Sequence, residues 1–258
     1  MLTHIPLGPA VVPAYPFLIL IGLWMGMSVA ARVAERMPEG RRFEGDHIYN
    51  MGLYSFVVGL LGGRAWYVIT HWSAYVSDLR EALSLTANAI DGWAVTVCAV
   101  MTVLIYSRRH QLPIPNVADA IAFGASVTLI VAGVGAFLGS QTLGALTDVP
   151  WAVSLYGELR HPAHLYLVLS VIMILVVLWR LNASPRRAGF LALLFITLYA
   201  SSRLIFDPFF AAPQTIGLGL RLVQVLALLA IVAALILMMW LETKPKSSVP
   251  RGELLPEG

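Results

Sequence analysis

The chain has 258 residues, of which 59% are hydrophobic and 12% charged, about half the charged share of an ordinary soluble domain. Its mean hydropathy is +0.79. That balance excludes a conventional water-soluble enzyme, and a formal net charge of +3 gives no reason to expect a nucleic-acid partner.

Crossing roughly 30 Å of hydrocarbon takes about 20 apolar residues as a helix. Backbone polar groups in lipid must bond within their own segment. Residues 1–15 hold no Lys or Arg, so the positive start of a cleavable signal is missing and the first run is expected to be a retained helix. In chain order the predicted helices are 15–36, 47–70, 90–107, 117–138, 164–181, 188–208 and 218–241. The second carries Gly59, Gly62, Gly63 and Arg64; the fourth ends in Gly133, Gly135 and Gly139. Such small residues let a helix or a ligand approach closely. The third holds the single cysteine, Cys98, expected to be a buried, inert thiol. The fold expected is all-α, a polytopic membrane protein of about seven transmembrane helices. Residues 1–242 read as a single transmembrane domain and 243–258 as a polar cytoplasmic tail.

Basic residues set the orientation. Arg32, Arg36, Arg41 and Arg42 follow the first helix, Arg108 and Arg109 the third. Arg180, Arg186 and Arg187 lie between the fifth and sixth, and Lys244, Lys246 and Arg251 follow the seventh. All of these fall on one side if the N-terminus is outside and the C-terminus cytoplasmic.

Five arginines do not follow that rule: Arg64, Arg80, Arg160, Arg203 and Arg221. Arg80, between Asp78 and Glu81, reads as a solvated loop charge. The other four are expected to share one depth band in the outer half of the bilayer, where a charge needs a partner or water. Asp207 is four residues beyond Arg203 and can pair with it. Arginine binds phosphate bidentately and keeps its charge in apolar surroundings, so the ligand expected is a phosphate-bearing anion at the outer leaflet. His161 and His164 flank Pro162 at the outer entry to the fifth helix, and His161 beside Arg160 is the placement that suggests chemistry. The remaining histidines make no metal-ligand pattern, and neither a metal nor another cofactor is expected.

Several of these residues occur in segments that resemble the prolipoprotein diacylglyceryl transferase family. Leu7-Gly8-Pro9 looks like that family's start, and Gly62-Gly63-Arg64 with Tyr67 resembles its Gly-Gly-Arg-x-x-Tyr segment. Arg160-His161-Pro162 followed by Leu165-Tyr166 is similar to Arg-His-Pro-x-x-Leu-Tyr, the most specific match. Tyr199, Arg203 and Asp207 resemble Tyr-x-x-x-Arg-x-x-x-Glu, and Gln224 falls where the family's last helix often has Gln. The resemblance implies a multi-pass enzyme of the bacterial inner membrane. It would move diacylglycerol from phosphatidylglycerol to the lipobox cysteine of a preprolipoprotein, without a cofactor. Arg203, Arg64, His161 and Asp207 would then be catalytic. Arg160, Tyr67, Tyr166, Tyr199, Gln224, Gly133 and Gly135, together with Arg64 and Arg203, would bind the substrate or its phosphate.

The chain departs from the family pattern at definite positions. Asp91-Gly92-Trp93-Ala94 stands where the family has His-Gly-Gly. In the segment Gly133–Gln141, Val134, Ala136, Gly139 and Gln141 stand in place of the family's Arg, two Asn and Glu, and Leu167 replaces the Glu after Leu-Tyr. The proton acceptor is therefore open between His161, His164 and Asp91. Two other readings stand beside the transferase: a relative that binds an anionic phospholipid or protein partner without turnover, and an unrelated transporter or channel.

Overall fold

The computed structural model describes residues 4–7, 10–76, 89–183, 186–211, 215–216 and 219–243. Among these residues there are seven long helices: α1 (Ala14–Glu35), α2 (Asp46–Thr70), α4 (Gly92–Arg109), α5 (Ile114–Leu138), α6 (Ala163–Asn182), α7 (Phe190–Phe206) and α8 (Leu222–Thr243), with a single turn, α3 (Trp72–Tyr75), after α2. The predicted runs match these helices to within a few residues. Six of them, all but α4, are long and apolar enough to cross a membrane. The 18 residues of α4 include Arg108 and Arg109, which lower its average hydropathy. The polar tail beyond Thr243, the Gly8-Pro9 pair, and Arg80 with Asp78 and Glu81 lie outside the described residues.

The surface of the bundle is apolar. All seven tryptophans are more than half exposed, from Trp72 at 52% to Trp24 at 65%. A water-soluble protein does not display its tryptophans in this way, whereas a lipid-facing surface does.

Lipid tails are as apolar as leucine, so helices in a bilayer are held together by close packing and polar contacts. α1 and α5 form the spine of the bundle. A Cβ on Gly26 would stand 2.5 Å from the Gly124 carbonyl oxygen and 2.2 Å from Thr128 Oγ1. Two glycines facing each other thus let two backbones touch, and Thr128 Oγ1 donates to the Gly22 carbonyl at 3.0 Å across the same seam. α2 and α4 pack together on one side of this spine, and α6, α7 and α8 follow on the other.

The buried core is concentrated at one end. Ala30, Ala34, Met51, Tyr106, Phe123, Leu178 and Leu191 belong to a single cluster. They come from the ends of α1, α4 and α6 and the starts of α2, α5 and α7, the end at which the basic residues accumulate.

That end is also tied by a polar knot. Asp119, fully buried on α5, accepts from the backbone N–H of Gly189 at 2.8 Å and of Ala192 at 2.9 Å. A carboxylate from another helix thereby satisfies donors that a helix N-terminus leaves without intrahelical partners. Arg41, from the connection between α1 and α2, reaches Asp119 Oδ2 at 2.6 Å, Asn116 Oδ1 at 3.2 Å and the Arg186 carbonyl at 3.0 Å. Asn116 Nδ2 answers by donating to the Arg41 carbonyl at 3.0 Å. His47, Tyr106 and His110 also meet at this end, with His47 Nδ1 3.1 Å from the Tyr106 hydroxyl.

Three short hairpins that hydropathy does not announce complete the described residues: β1 (His4–Leu7) with β2 (Ala10–Pro13), β3 (Val153–Leu155) with β4 (Glu158–Arg160), and β5 (Thr215–Ile216) with β6 (Leu220–Arg221). The last two lie beside the candidate site.

The Asp119 knot is testable. Asp119→Ala leaves the α7 donors and Arg41 without their acceptor, and is expected to cost about 2–4 kcal/mol. Reversible unfolding of the purified protein in an SDS titration measures this. A midpoint equal to that of the unchanged protein would mean that the carboxylate adds no net stability.

Candidate functional site

The opposite end of the bundle is built around a carboxylate. Pro208 has no N–H to continue a helix, and the chain passes from α7 into a 3-10 turn at Asp207–Phe209. This turn buries Asp207 to 5% exposure. Arg221, at the end of β6, donates through Nη1 to Asp207 Oδ2 at 3.3 Å and to the Asp207 carbonyl at 2.8 Å. Arg203 approaches from the last turn of α7, its Nη2 3.7 Å from Oδ1. The predicted pair of Arg203 and Asp207 is present, but Arg221 is the closer partner. The sequence placed Arg221 in this depth band without pairing it with Asp207.

Two guanidinium groups on one carboxylate leave a net positive charge. Both arginine side chains remain about a quarter exposed, at 26%, so each has donors that a ligand can reach. Breaking such a pair strands a charge, and Asp207 therefore fixes both cations in place. Arg203 also lies over the Phe210 ring, 5.4 Å from its centroid. Phe210 also meets His164 on the first turn of α6, edge-on at 5.1 Å. Arg203 acts electrostatically on His164 and on Tyr199, one turn before it on α7. Tyr199 in turn stacks on Phe195.

Arg160 enters from the β3–β4 hairpin. The two turn residues, Tyr156 and Gly157, have φ of 54° and 83°, the backbone of a tight two-residue hairpin loop. Arg160 Nη1 donates to the Gly144 carbonyl at 3.0 Å, and Nη2 is ion-paired with Glu158. Its Nε is buried without a hydrogen-bond partner among the described residues. The Gly144 backbone passes so close to His161 that a Cβ there would lie 1.8 Å from the His161 carbonyl oxygen. Only glycine allows that approach. Around it the His161 N–H donates to Ala145 at 3.0 Å, the Ala145 N–H to Phe209 at 2.8 Å and the Ala211 N–H to Leu143 at 2.9 Å. Three loop segments are thus stitched into one floor beneath the Asp207 group.

His161 is well partnered. Its Nδ1 is 3.1 Å from the Tyr166 hydroxyl, which also accepts from Trp151 Nε1 at 2.8 Å. The imidazole sits edge-on to Phe209 at 4.8 Å, and Tyr166 completes the cluster with Phe206.

The other residues singled out in the sequence have different neighbours. Arg64, buried on α2, donates through Nη1 to the Tyr75 hydroxyl at 3.3 Å and to the Ala89 carbonyl at 3.0 Å, with its guanidinium over the Tyr75 ring. Tyr67, one turn on, stacks on His71 at 4.2 Å. Gly133 faces Val168 and Gly135 faces Leu18, where a Cβ would come within 2.6 Å and 2.9 Å respectively. Gln224 lies on the first turn of α8, three residues past Arg221. Asp91 caps α4, its Oδ1 accepting from the Ala94 N–H at 2.9 Å. Among the described residues no group of three or more His, Cys, Asp or Glu could hold a metal ion.

Comparison with known proteins gives one consistent result. The family model described as prolipoprotein diacylglyceryl transferase matches residues 2–240. A phosphatidylglycerol–prolipoprotein diacylglyceryl transferase of Clostridioides difficile is 23% identical over 91% of this chain and 93% of its own length. The protein of the same name from Synechococcus elongatus is 22% identical over 93% of this chain and 86% of its own. That of Corynebacterium diphtheriae is 23% identical over 84% and 83%. These matches run through the loops that build the Asp207 group as well as the helices, and they set aside an unrelated transporter: the chain belongs to the prolipoprotein diacylglyceryl transferase family.

Proposed function

We propose that this protein is a phosphatidylglycerol–prolipoprotein diacylglyceryl transferase of the bacterial inner membrane. The observation that carries the proposal is the pair of partly open guanidinium groups, Arg203 and Arg221, fixed on the buried Asp207. They stand at the end of the bundle expected to be non-cytoplasmic, within a chain whose relatives bear that enzyme's name.

The reaction exchanges a carbon–oxygen bond for a carbon–sulfur bond. The lipobox cysteine sulfur attacks the glycerol carbon that carries the phosphate ester, and the bonding pair departs with the phosphate oxygen. Glycerol phosphate leaves with one more negative charge than the diester carried, so the barrier falls if donors are already aimed at that oxygen. Arg203 and Arg221 suit this task, because Asp207 fixes their positions before substrate arrives and both side chains stay partly exposed. Arg160 has a buried Nε that a phosphate oxygen could satisfy. Gln224, three residues past Arg221, and Tyr199, within the electrostatic reach of Arg203, would orient the headgroup. Tyr166 and His161 hold the floor through their shared hydrogen bond. Arg64, Tyr67, Gly133 and Gly135 lie toward the α2 and α5 side and are proposed to contact the lipid more remotely.

The hydrogen-bonded frame favours turnover over lipid binding alone, because a passive binder has no need of two cations held rigidly on one carboxylate. The test is direct. Purified protein is incubated with phosphatidylglycerol and a lipobox-cysteine peptide, and mass spectrometry detects the diacylglyceryl thioether. Arg203→Ala is expected to reduce the rate by about 10²–10³-fold. Unchanged turnover in that variant would remove the phosphate role from Arg203, and the absence of thioether from the unmodified protein would overturn the transferase reading.

Cys98 provides a control for a covalent route. Its sulfur packs against Gly62, 2.3 Å from where a Cβ would stand, in the contact between α2 and α4. Cys98→Ser is expected to leave the initial rate of thioether formation unchanged. Loss of activity would mean that the diacylglyceryl group passes through the enzyme's own thiol.

A further inference from the structure

We infer that His164 is the base that takes the proton from the acceptor thiol. The inference rests on the transferase reading and adds a residue to it. A neutral thiol is a poor nucleophile and the thiolate is the reactive form, so a group beside the phosphate site must accept a proton. His161 is engaged through Nδ1 with the Tyr166 hydroxyl and packed against Phe209. Asp91 caps α4. Asp207 is held between two guanidinium groups. Tyr199 would itself have to lose a proton first.

His164 differs from all of these. Its Nε2 is buried and has no hydrogen-bond partner among the described residues, while the ring is otherwise hydrogen-bonded to the Thr142 backbone. A buried polar atom left unmatched costs free energy, and such a cost is commonly met by a ligand that completes the bond. The ring is set edge-on against Phe210 at 5.1 Å, and the same Phe210 carries the Arg203 guanidinium at 5.4 Å. One aromatic side chain therefore touches both the His164 ring and the cation proposed to hold the phosphate. The charged and titratable groups around it are Arg203 and Tyr199 on α7, Asp207 and Arg221 behind Arg203, and His161 one turn earlier in the chain.

The step balances as follows. The S–H proton passes to Nε2 as the sulfur forms its bond to the glycerol carbon. The carbon–oxygen pair leaves with the phosphate, and glycerol phosphate departs as a dianion facing Arg203 and Arg221. The imidazolium then returns its proton to water. Nothing is oxidised or reduced.

The experiment uses His164→Gln and His164→Asn in the full chain, with two lipobox peptides that differ only in cysteine against selenocysteine. A selenol is already ionised at neutral pH and needs no base. With the cysteine peptide both variants are expected to lose about 10²–10⁴-fold in kcat, while phosphatidylglycerol binding measured in detergent micelles is unchanged. With the selenocysteine peptide the defect is expected to shrink to a few-fold. Three results would overturn the assignment. A cysteine rate equal to that of the unmodified enzyme would show that another group takes the proton. An equal loss with both peptides would make His164 a donor to the phosphate or a structural residue, and lost lipid binding would do the same. If the unmodified enzyme makes no thioether, the transferase reading fails first and this inference with it; a working enzyme with an indifferent His164 removes the inference alone.

Discussion

Hydrocarbon does not solvate charge, and a charged side chain placed in it must bring its own partners. Three described charged groups show how that constraint is met. Asp119 has two backbone donors and Arg41; Asp207 has Arg203 and Arg221; Arg64 has the Tyr75 hydroxyl and ring and the Ala89 carbonyl. The Asp119 group joins elements 70 or more positions apart, so the contacts that make its charge tolerable also decide which helices lie side by side. Between them the Gly26–Gly124 seam supplies the close backbone packing that replaces a hydrophobic driving force.

The two ends of the bundle solve different problems. The basic end is filled: Phe123, Leu178 and Met51 are sealed in a continuous cluster, with the Asp119 knot at its edge. The other end is sparing in buried apolar residues. It is ordered instead by backbone hydrogen bonds between 143–146, 160–161 and 209–211, and by the aromatic group of His161, Tyr166, Phe206 and Phe209. A site that must admit a lipid headgroup and a peptide needs room between its elements. A floor of hydrogen bonds gives rigidity without filling that room with side chains.

Much of this was legible in the sequence for a physical reason. Membrane helices announce themselves locally, through uninterrupted apolar length, and each long helix lies within a few residues of its predicted run. The family motifs are local too, which is why Arg160-His161-Pro162 and the Tyr199–Arg203–Asp207 spacing could be picked out. What stayed hidden depends on contacts between distant segments. Asp119 and Arg41 are separated by 78 positions, and nothing around either residue signals the other. The preference of Asp207 for Arg221 follows from the turn that Pro208 starts, not from helical spacing. The difference between His161 and His164 is likewise invisible in sequence. It appears only when Tyr166, itself held by Trp151, is seen to engage one histidine while Phe210 and Arg203 flank the other.

The Asp119 knot has a consequence for the order of assembly. During synthesis α1, the connection bearing Arg41, and α5 with Asp119 are all made before α7, whose first N–H groups are the remaining partners of that carboxylate. The Arg41–Asp119 pair can therefore close as soon as α5 is inserted, and it keeps a buried anion from standing alone while the chain is still growing. When α7 arrives it meets a negative charge already in position at the point where its own dipole is positive. The pair thus serves first as a chaperone for an incomplete bundle and afterwards as the landing site for the helix that brings Arg203 to the opposite end.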